Sequence, residues 1–285
     1  MTGQMMKRVG LVCHPKIDAA HRLAQAATDR LAGLGISAWS GSAWQEKELL
    51  ERLKGTDLLI SLGGDGTLVR LARLTAGADT PILGVNLGRV GFLAELQPDQ
   101  VIDSLPALAE GRFWLEERMM LRASLEQDGR SAEQNATHAH QFEAINEVVV
   151  SRGRVARIVR IAAHVDGQYL TTYAADGLIV ATPTGSTAYA LAAGGPILNP
   201  QLANLVVVPI APHLTVDTAL VLPARARVRL VLSCEEEGTL TVDGQVDHPL
   251  CNGDAVVVTA SEHLCRLVRL GEHNYFYKTL MQKLK

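Results

Sequence analysis

No apolar run in this 285-residue chain reaches the roughly 20 residues that a helix needs to cross a bilayer. Positive charge is not in excess either. The chain carries 27 Lys and Arg against 30 Asp and Glu, a formal net charge of −3, whereas a nucleic-acid binder shows a basic surplus. The start has no signal-peptide pattern, because Lys7 and Arg8 open directly into an apolar segment. Cysteine is scarce: Cys13, Cys234, Cys251 and Cys265 lie far apart, without metal-ligand spacing. They read as reduced thiols, at least two of them strand residues. Internal repeats and low-complexity segments are absent. These absences predict a cytoplasmic, soluble protein with no nucleic-acid or membrane partner. What remains is an ordinary globular composition, 47% hydrophobic and 20% charged, long enough for one large domain or two of common size.

Apolar segments at Val9–Cys13, Ile36–Trp39, Leu58–Leu62 and Ile82–Asn86 alternate with helical spacing over 17–34 and Glu46–Leu53, and Pro98–Leu108 reads as a further helix. Strand–helix alternation of this kind indicates βαβ units and a parallel sheet. From about Arg118 the helical period disappears. Short apolar or alternating runs follow at Leu121–Leu125, Ala144–Val150, Ile158–Val165, Leu178–Ala181, Leu205–Ile210, Val228–Leu232, Thr239–Val242 and Ala255–Thr259. Asp166-Gly167, Asp243-Gly244 and Asn252-Gly253-Asp254 punctuate them as turns, and the polar stretch Gln127–Gln141 reads as an exposed loop. Helical spacing returns over Asn274–Leu284. The expected architecture is a Rossmann-like α/β N-terminal domain over residues 1–115 and an all-β C-terminal domain over 116–271. A short C-terminal helix at about 272–285 would close the chain, packing back on the first domain.

Two stretches carry chemistry. The run Leu58–Leu62 shows no alternation, as in a strand buried on both faces, and leads into Gly63-Gly64-Asp65-Gly66-Thr67. Thr67 can cap a helix over Leu68–Leu74. Glycines at a strand end ahead of a helix let backbone N–H groups approach a phosphate. Asp65 would repel a phosphate, so it fits there only if it acts on a hydroxyl proton or a metal. The plain alternative is a tight turn with an Asp turn residue. The second stretch, Asp176–Ala190, reads DGLIVATPTGSTAYA and is followed by Gly194-Gly195-Pro196. Thr182, Thr184, Ser186 and Thr187 crowd a loop after an apolar strand and precede Tyr189, offering hydroxyls, backbone N–H groups and an aromatic face to a nucleoside.

GGDGT followed by DGLIVATPTGSTAY resembles the signatures of the NAD kinase family, of bacterial type. The first motif alone is shared with diacylglycerol-type lipid kinases and phosphofructokinases. Asn146-Glu147, Pro209–His213, Asp243-Gly244-Gln245 and the tail Phe276–Leu284 are similar to family segments in the same order, so the resemblance covers nearly the whole chain. Thr218 and Ala219 depart from it, standing where the family usually has Arg-Pro. Ala174 stands where many bacterial members carry arginine, which leaves NAD and NADH both open as acceptors.

The resemblance implies a phosphotransferase that phosphorylates the 2′-hydroxyl of the adenosine ribose of NAD to give NADP. The donor is ATP or polyphosphate, accompanied by a divalent ion, Mg2+. Asp65 would be the catalytic group. Gly63, Gly64, Gly66 and Thr67 would form the phosphate-binding loop, with Arg70 adding positive charge. The NAD site would comprise Asp65, Gly66, Arg70, Asn146, Glu147, Arg157, Ala174, Asp176, Thr187, Ala188, Tyr189, Ala190, Leu191, Ala192, Ala211 and Gln245. No residue is assigned to metal binding. Family members assemble as homodimers or homotetramers. Other classes remain. A lipid or sugar kinase leaves the 176–190 loop unexplained. A dehydrogenase should show G-x-G-x-x-G after its first strand, where this chain has His14-Pro15-Lys16. A non-catalytic NAD sensor has no need of Asp65.

Overall fold

The computed structural model describes residues 6–88, 91–126, 140–153, 158–213 and 216–283. Two compact units divide the chain: one comprises Met1–Arg118 with Leu264–Lys285, the other Met119–His263.

The first unit is α/β. Its elements are β1 (Arg8–Cys13), α1 (Asp18–Gly33), β2 (Ser37–Gly41), α2 (Glu46–Leu53), β3 (Leu58–Gly63), α3 (Asp65–Leu74), β4 (Ile82–Asn86) and α4 (Val101–Ala109), the last entered through a one-turn 3-10 helix at Pro98–Gln100. The strands run parallel in the order β2-β1-β3-β4, with Val9 opposite Leu58 and Ile60 opposite Leu83. Every residue of β3 is buried, which is why that run shows no alternation. Ala20, Ala24, Ala27 and Leu31 of α1 and Val101, Leu105 and Leu108 of α4 pack with Leu11, Ile60, Leu62 and Val85 in one core.

The second unit begins in β5 (Trp114–Glu126) and continues with β6 (Gln141–Ala144), β7 (Glu147–Arg152), β8 (Val159–Val165), β9 (Gln168–Ala175), β10 (Gly177–Ala181), α5 (Tyr189–Ala192), β11 (Asn204–Ile210), β12 (Leu220–Pro223), β13 (Val228–Ser233), β14 (Gly238–Val242) and β15 (Val246–Leu250). It ends in β16 (Ala255–Arg269), whose last residues return to the first unit beside β4, and the chain closes with α6 (Tyr275–Lys283). One antiparallel sheet has the order β12-β11-β10-β7-β14-β15. β13 joins β8 and β16, and β8 pairs with β9. Leu178 and Val180 of β10 pack inward with Val148, Ile161, Tyr173, Val207 and Leu230. Ile179 and Ala181 face the opposite way, into a second core with Ala190, Val206 and Val208, against which Ala219 also packs. Both faces of β10 are therefore covered.

Several expectations are corrected. The run Ala144–Val150 is not one strand but breaks at Ile145-Asn146 between β6 and β7. β5 and β16 extend far beyond the runs Leu121–Leu125 and Ala255–Thr259. β9, β12 and β15 were not expected. β12 and β15 are the edges of their sheet, and Pro249 is tolerated in β15 because an edge strand has one unpaired side. Thr67 is not a cap. α3 starts at Asp65 with Gly64 as its N-cap, because an acid in the first turn complements the helix dipole. Most of the polar loop Gln127–Gln141 lies outside the described residues. The Asp166-Gly167 and Asp243-Gly244 turns do join adjacent hairpin strands, with φ of 52° and 82°, and 51° and 62°, as a primed turn requires.

In the first unit the closing helix is anchored by a buried polar knot. The hydroxyl of Tyr275 accepts from Arg118 Nη2 (2.6 Å) and Arg269 Nη2 (2.8 Å) and donates to Glu116 Oε2 (2.8 Å). Arg269 also stacks over the Tyr275 ring at 4.6 Å. Tyr275→Phe keeps the ring and strips these partners of one hydroxyl. A loss of roughly 1–3 kcal/mol of stability is expected, read as a lower midpoint of thermal unfolding. An unchanged midpoint would show that the knot does not need the hydroxyl.

Candidate active site

In the first unit, Asp65 sits at the mouth of the sheet where β3 turns into α3. The N–H of Phe92 donates to its Oδ2 at 2.6 Å and that of Leu93 to its Oδ1 at 3.4 Å. The fit requires Gly91: a Cβ there would lie 1.7 Å from Asp65 Oδ1. Gly63 ends β3 and Gly66 lies exposed in the first turn of α3. Thr67 is buried inside α3, its Oγ1 without a partner. Arg70 is turned to α2, donating from Nε to the Ala43 carbonyl (2.9 Å) and from Nη2 to Glu46 (2.9 Å), and lying over Trp44 at 5.3 Å. Its charge is thus already partnered.

The second unit holds a pocket of about 390 Å3 lined by Glu147, Val149, Ser151, Arg152, Asp176, Tyr189, Ile210, Thr241 and Gly244. Its position follows from strand pairing. β7 and β10 run antiparallel with Glu147 opposite Ala181, so the turn before β7 and the loop after β10 meet at one end of the sheet. The N–H of Thr182 donates to the Asn146 carbonyl (2.8 Å), and Thr182 Oγ1 donates to the Ile145 carbonyl (2.6 Å). Gly185 packs so closely that a Cβ would lie 2.1 Å from the Asn146 oxygen. The turn itself is clamped by Asp243, whose carboxylate accepts from the N–H groups of Ile145 (3.0 Å), Asn146 (2.8 Å) and Glu147 (3.1 Å).

The loop hydroxyls are mostly turned inward, contrary to expectation. Ser186 Oγ donates to the Pro183 carbonyl (2.6 Å) and accepts from Leu198 N–H (3.0 Å), while Thr187 Oγ1 donates to the Thr184 carbonyl (3.1 Å). They brace the loop, and the exposed element facing the pocket is the Tyr189 ring, 45% exposed at the start of α5. Asp176 is held by Arg152 Nη1 at 2.8 Å. Glu147 is buried, and burial first, then the Asp243 charge, pushes its carboxyl up to about 8, against a hydrogen bond from the Tyr189 backbone that lowers it.

Glu147, Asp176 and Tyr189 thus come together. Asn146 and Gln245 flank the pocket in the chain, and Ala211, exposed with a strained φ of 45°, follows Ile210. Ala188 is the N-cap of α5, and Leu191 and Ala192 continue that helix. Ala190 is fully buried in the second core, so packing occupies its side chain. Ala174 lines a different recess with Arg160, Thr172 and His213. Arg157 lies outside the described residues.

Residues 4–113 match the family model of the ATP-NAD kinase N-terminal domain, and residues 145–270 that of the ATP-NAD kinase C-terminal domain. The chain belongs to the NAD kinase family. The NAD kinase of Dehalococcoides mccartyi strain CBDB1 is 41% identical over 281 residues, covering 99% of this chain and 97% of the relative. That of Chloroflexus aggregans is 41% identical over 281 residues, with 99% of both chains covered. A solved NAD kinase from Archaeoglobus fulgidus in complex with ATP matches with a TM-score of 0.74 at 25% identity, over 97% of this chain and 98% of that one. Yeast NADH kinase complexed with NADH shares the fold, with a TM-score of 0.85 at 22% identity over 99% and 88% of the two chains.

Against this NAD kinase background, two residues of the second unit stand out that sequence reasoning did not place in the site. Arg152, two residues beyond the apolar run Val148–Val150, carries no sequence signal of its own. Asp243 did, as the acid of an Asp-Gly-Gln turn, but its reach to residues 145–147 is a long-range contact. Asp243→Ala leaves the Ile145 and Glu147 amides buried without acceptors, at roughly 1–3 kcal/mol each. The expected result is a clear drop in unfolding midpoint together with weaker NAD binding by calorimetry. Normal values for both would remove Asp243 from the architecture of the pocket.

Proposed function

We propose that this chain is an NAD kinase in which the pocket beside Glu147 and Tyr189 holds the NAD acceptor and Asp65 activates the ribose 2′-hydroxyl. The observation that carries the reading is that one pocket is built from three separate family segments, Asn146-Glu147, Asp176–Ala190 and Asp243–Gln245. In-line transfer needs positioning and charge neutralisation more than covalent help from the protein. Tyr189 covers a ring face of the nucleotide. Asn146, Thr187, Ala188, Gln245 and the backbone around Ala211 supply polar and close contacts. The Phe92 N–H fixes one oxygen of Asp65, and the carboxylate keeps lone pairs to take the hydroxyl proton. As the 2′-oxygen bonds to the γ-phosphorus of ATP, the bond to the bridging oxygen breaks and ADP leaves.

Among the described residues no three His, Cys, Asp or Glu side chains gather into a metal cage. Mg2+ on a nucleotide needs only one or two carboxylates besides phosphate oxygens, and Asp65 would be that ligand. Bound there, the ion neutralises charge on the donor phosphates. Gly64 and Gly66, where a Cβ would meet nothing within 4 Å, leave space for those phosphates at the start of α3. The space beside Gly63 is filled by the buried Thr67 side chain, so neither Gly63 nor Thr67 offers a side-chain face to them. Polyphosphate is the other donor, and NADH the other acceptor, that this site chemistry admits. Cytoplasmic placement and assembly as a homodimer or homotetramer belong to the same proposal. No helix of the described residues is long and apolar enough to cross a membrane.

Asp65→Asn preserves shape and removes the base. Assuming a normal general-base contribution, kcat and kcat/KM should fall together by about 100- to 10,000-fold while calorimetric NAD affinity changes little. Near-normal NADP formation would make Asp65 a structural clasp for the 91–93 segment only. Tyr189→Ala should instead raise the KM for NAD more than it lowers kcat, since stacking on a base is worth roughly 1–3 kcal/mol. A collapsed kcat at unchanged KM would refute the stacking role.

A further inference from the structure

Glu147 is 5% exposed, and its Oε2 is buried without a hydrogen-bond partner although the residue lines the pocket. The groups around it explain why no cation answers it. From the β14–β15 turn it faces the carboxylate of Asp243, a like charge that is itself committed to three backbone N–H groups. From α5 comes the backbone hydrogen bond of Tyr189, with the phenol ring beside it. From β10 the opposing residue is Ala181, which carries no charge. Arg152 is the cation lining this pocket, and it is engaged with Asp176 at 2.8 Å. A buried carboxyl beside a carboxylate, with the cation lining the pocket already paired, favours its neutral form.

We infer that Glu147 meets the nucleotide as a neutral carboxylic acid, donating the Oε2 proton to an uncharged acceptor atom of NAD such as a ring nitrogen or a carboxamide oxygen. This rests on the pocket being the NAD site, and it reverses the polarity that a carboxylate there would have. A carboxylate accepts from ribose hydroxyls and amide N–H groups, whereas the acid selects ligands that present an acceptor. The device has a sign in pH. Burial and Asp243 raise the Glu147 carboxyl to about 8, so the donor is present below that pH and is lost as pH rises through it. The folded chain also holds a proton that the unfolded chain releases, so folding stability falls as pH climbs from the ordinary carboxylate value of 4.5 towards about 8.

The test compares the unsubstituted chain with Glu147→Gln, which keeps an uncharged donor of the same shape, and with Glu147→Ala. Calorimetric NAD binding by the unsubstituted chain is expected to weaken about tenfold between pH 7 and pH 9, following the protonated fraction. Glu147→Gln should show no such pH dependence and so bind NAD more tightly than the unsubstituted chain at pH 9. Glu147→Ala should be weak at both. Without nucleotide, the unfolding midpoint of the unsubstituted chain should fall from pH 6 to pH 9 relative to Glu147→Gln, which also reports that the variant folds. Affinity that holds or rises with pH in the unsubstituted chain overturns the inference. So does Glu147→Gln binding as weakly as Glu147→Ala, because an uncharged donor retained at that position then contributes nothing to NAD binding. A chain that binds no NAD at pH 7 overturns the functional reading and the donor role with it. A missing stability difference with NAD binding intact overturns the neutral acid alone.

Discussion

Three consecutive backbone amides, those of Ile145, Asn146 and Glu147, converge on the single carboxylate of Asp243. Hydrogen bonds to a charged acceptor are stronger than neutral ones, and here they hold a turn that would otherwise continue as strand. The break between β6 and β7 follows from this clamp. So does the outward turn of the Asn146 carbonyl, which receives the Thr182 amide and leaves space only for glycine at position 185. The loop after β10 is therefore seated on a turn that a distant hairpin fixes. Pocket, loop and α5 all depend on that one anion.

The same anion sets the chemistry of its neighbour. Within the second unit, Asp243 and Glu147 are two buried carboxyls in electrostatic contact, and the cation lining the pocket is engaged elsewhere. The first unit shows the opposite solution to buried charge. There Glu116 is flanked by Arg118 and Arg269, both guanidinium groups reach the Tyr275 hydroxyl, and the two arginines hold the Glu116 carboxyl below its usual range against the desolvation that raises it. A network in which each charge is answered rigidifies a structure. A carboxyl left with an open oxygen is a feature a ligand can complete. The contrast separates an anchor for α6 from a carboxyl whose oxygen is still open to a partner.

Asp65 combines both characters. One oxygen is tied to the Phe92 amide, and the close approach that this requires excludes any side chain at position 91. A carboxylate oriented from behind by a backbone amide is preorganised, which is what a base acting on a bound hydroxyl needs. Arg70, one turn further along α3, is committed to Glu46 and Trp44 and leaves the start of the helix to backbone groups.

Elements whose residues act locally were legible before any coordinates. The unbroken apolar run of β3, the helical spacing of α1 and α2, and the Asp-Gly hairpin turns follow from periodicity and backbone preference, which neighbouring residues set. The two long motifs likewise located the strand–helix turn at Asp65 and the loop ahead of Tyr189. Which groups meet depended on long-range packing. It split Ala144–Val150 through a contact from residue 243, turned the loop hydroxyls of Ser186 and Thr187 inward, and brought Arg152 to Asp176 from a neighbouring strand. It also sent Ala190 into a core and Ala174 to another recess. Edge strands such as β15 escape the pattern because only one of their sides must pair. The protonation state of Glu147 was beyond any motif, because it depends on burial and on a like charge about a hundred residues away in the chain.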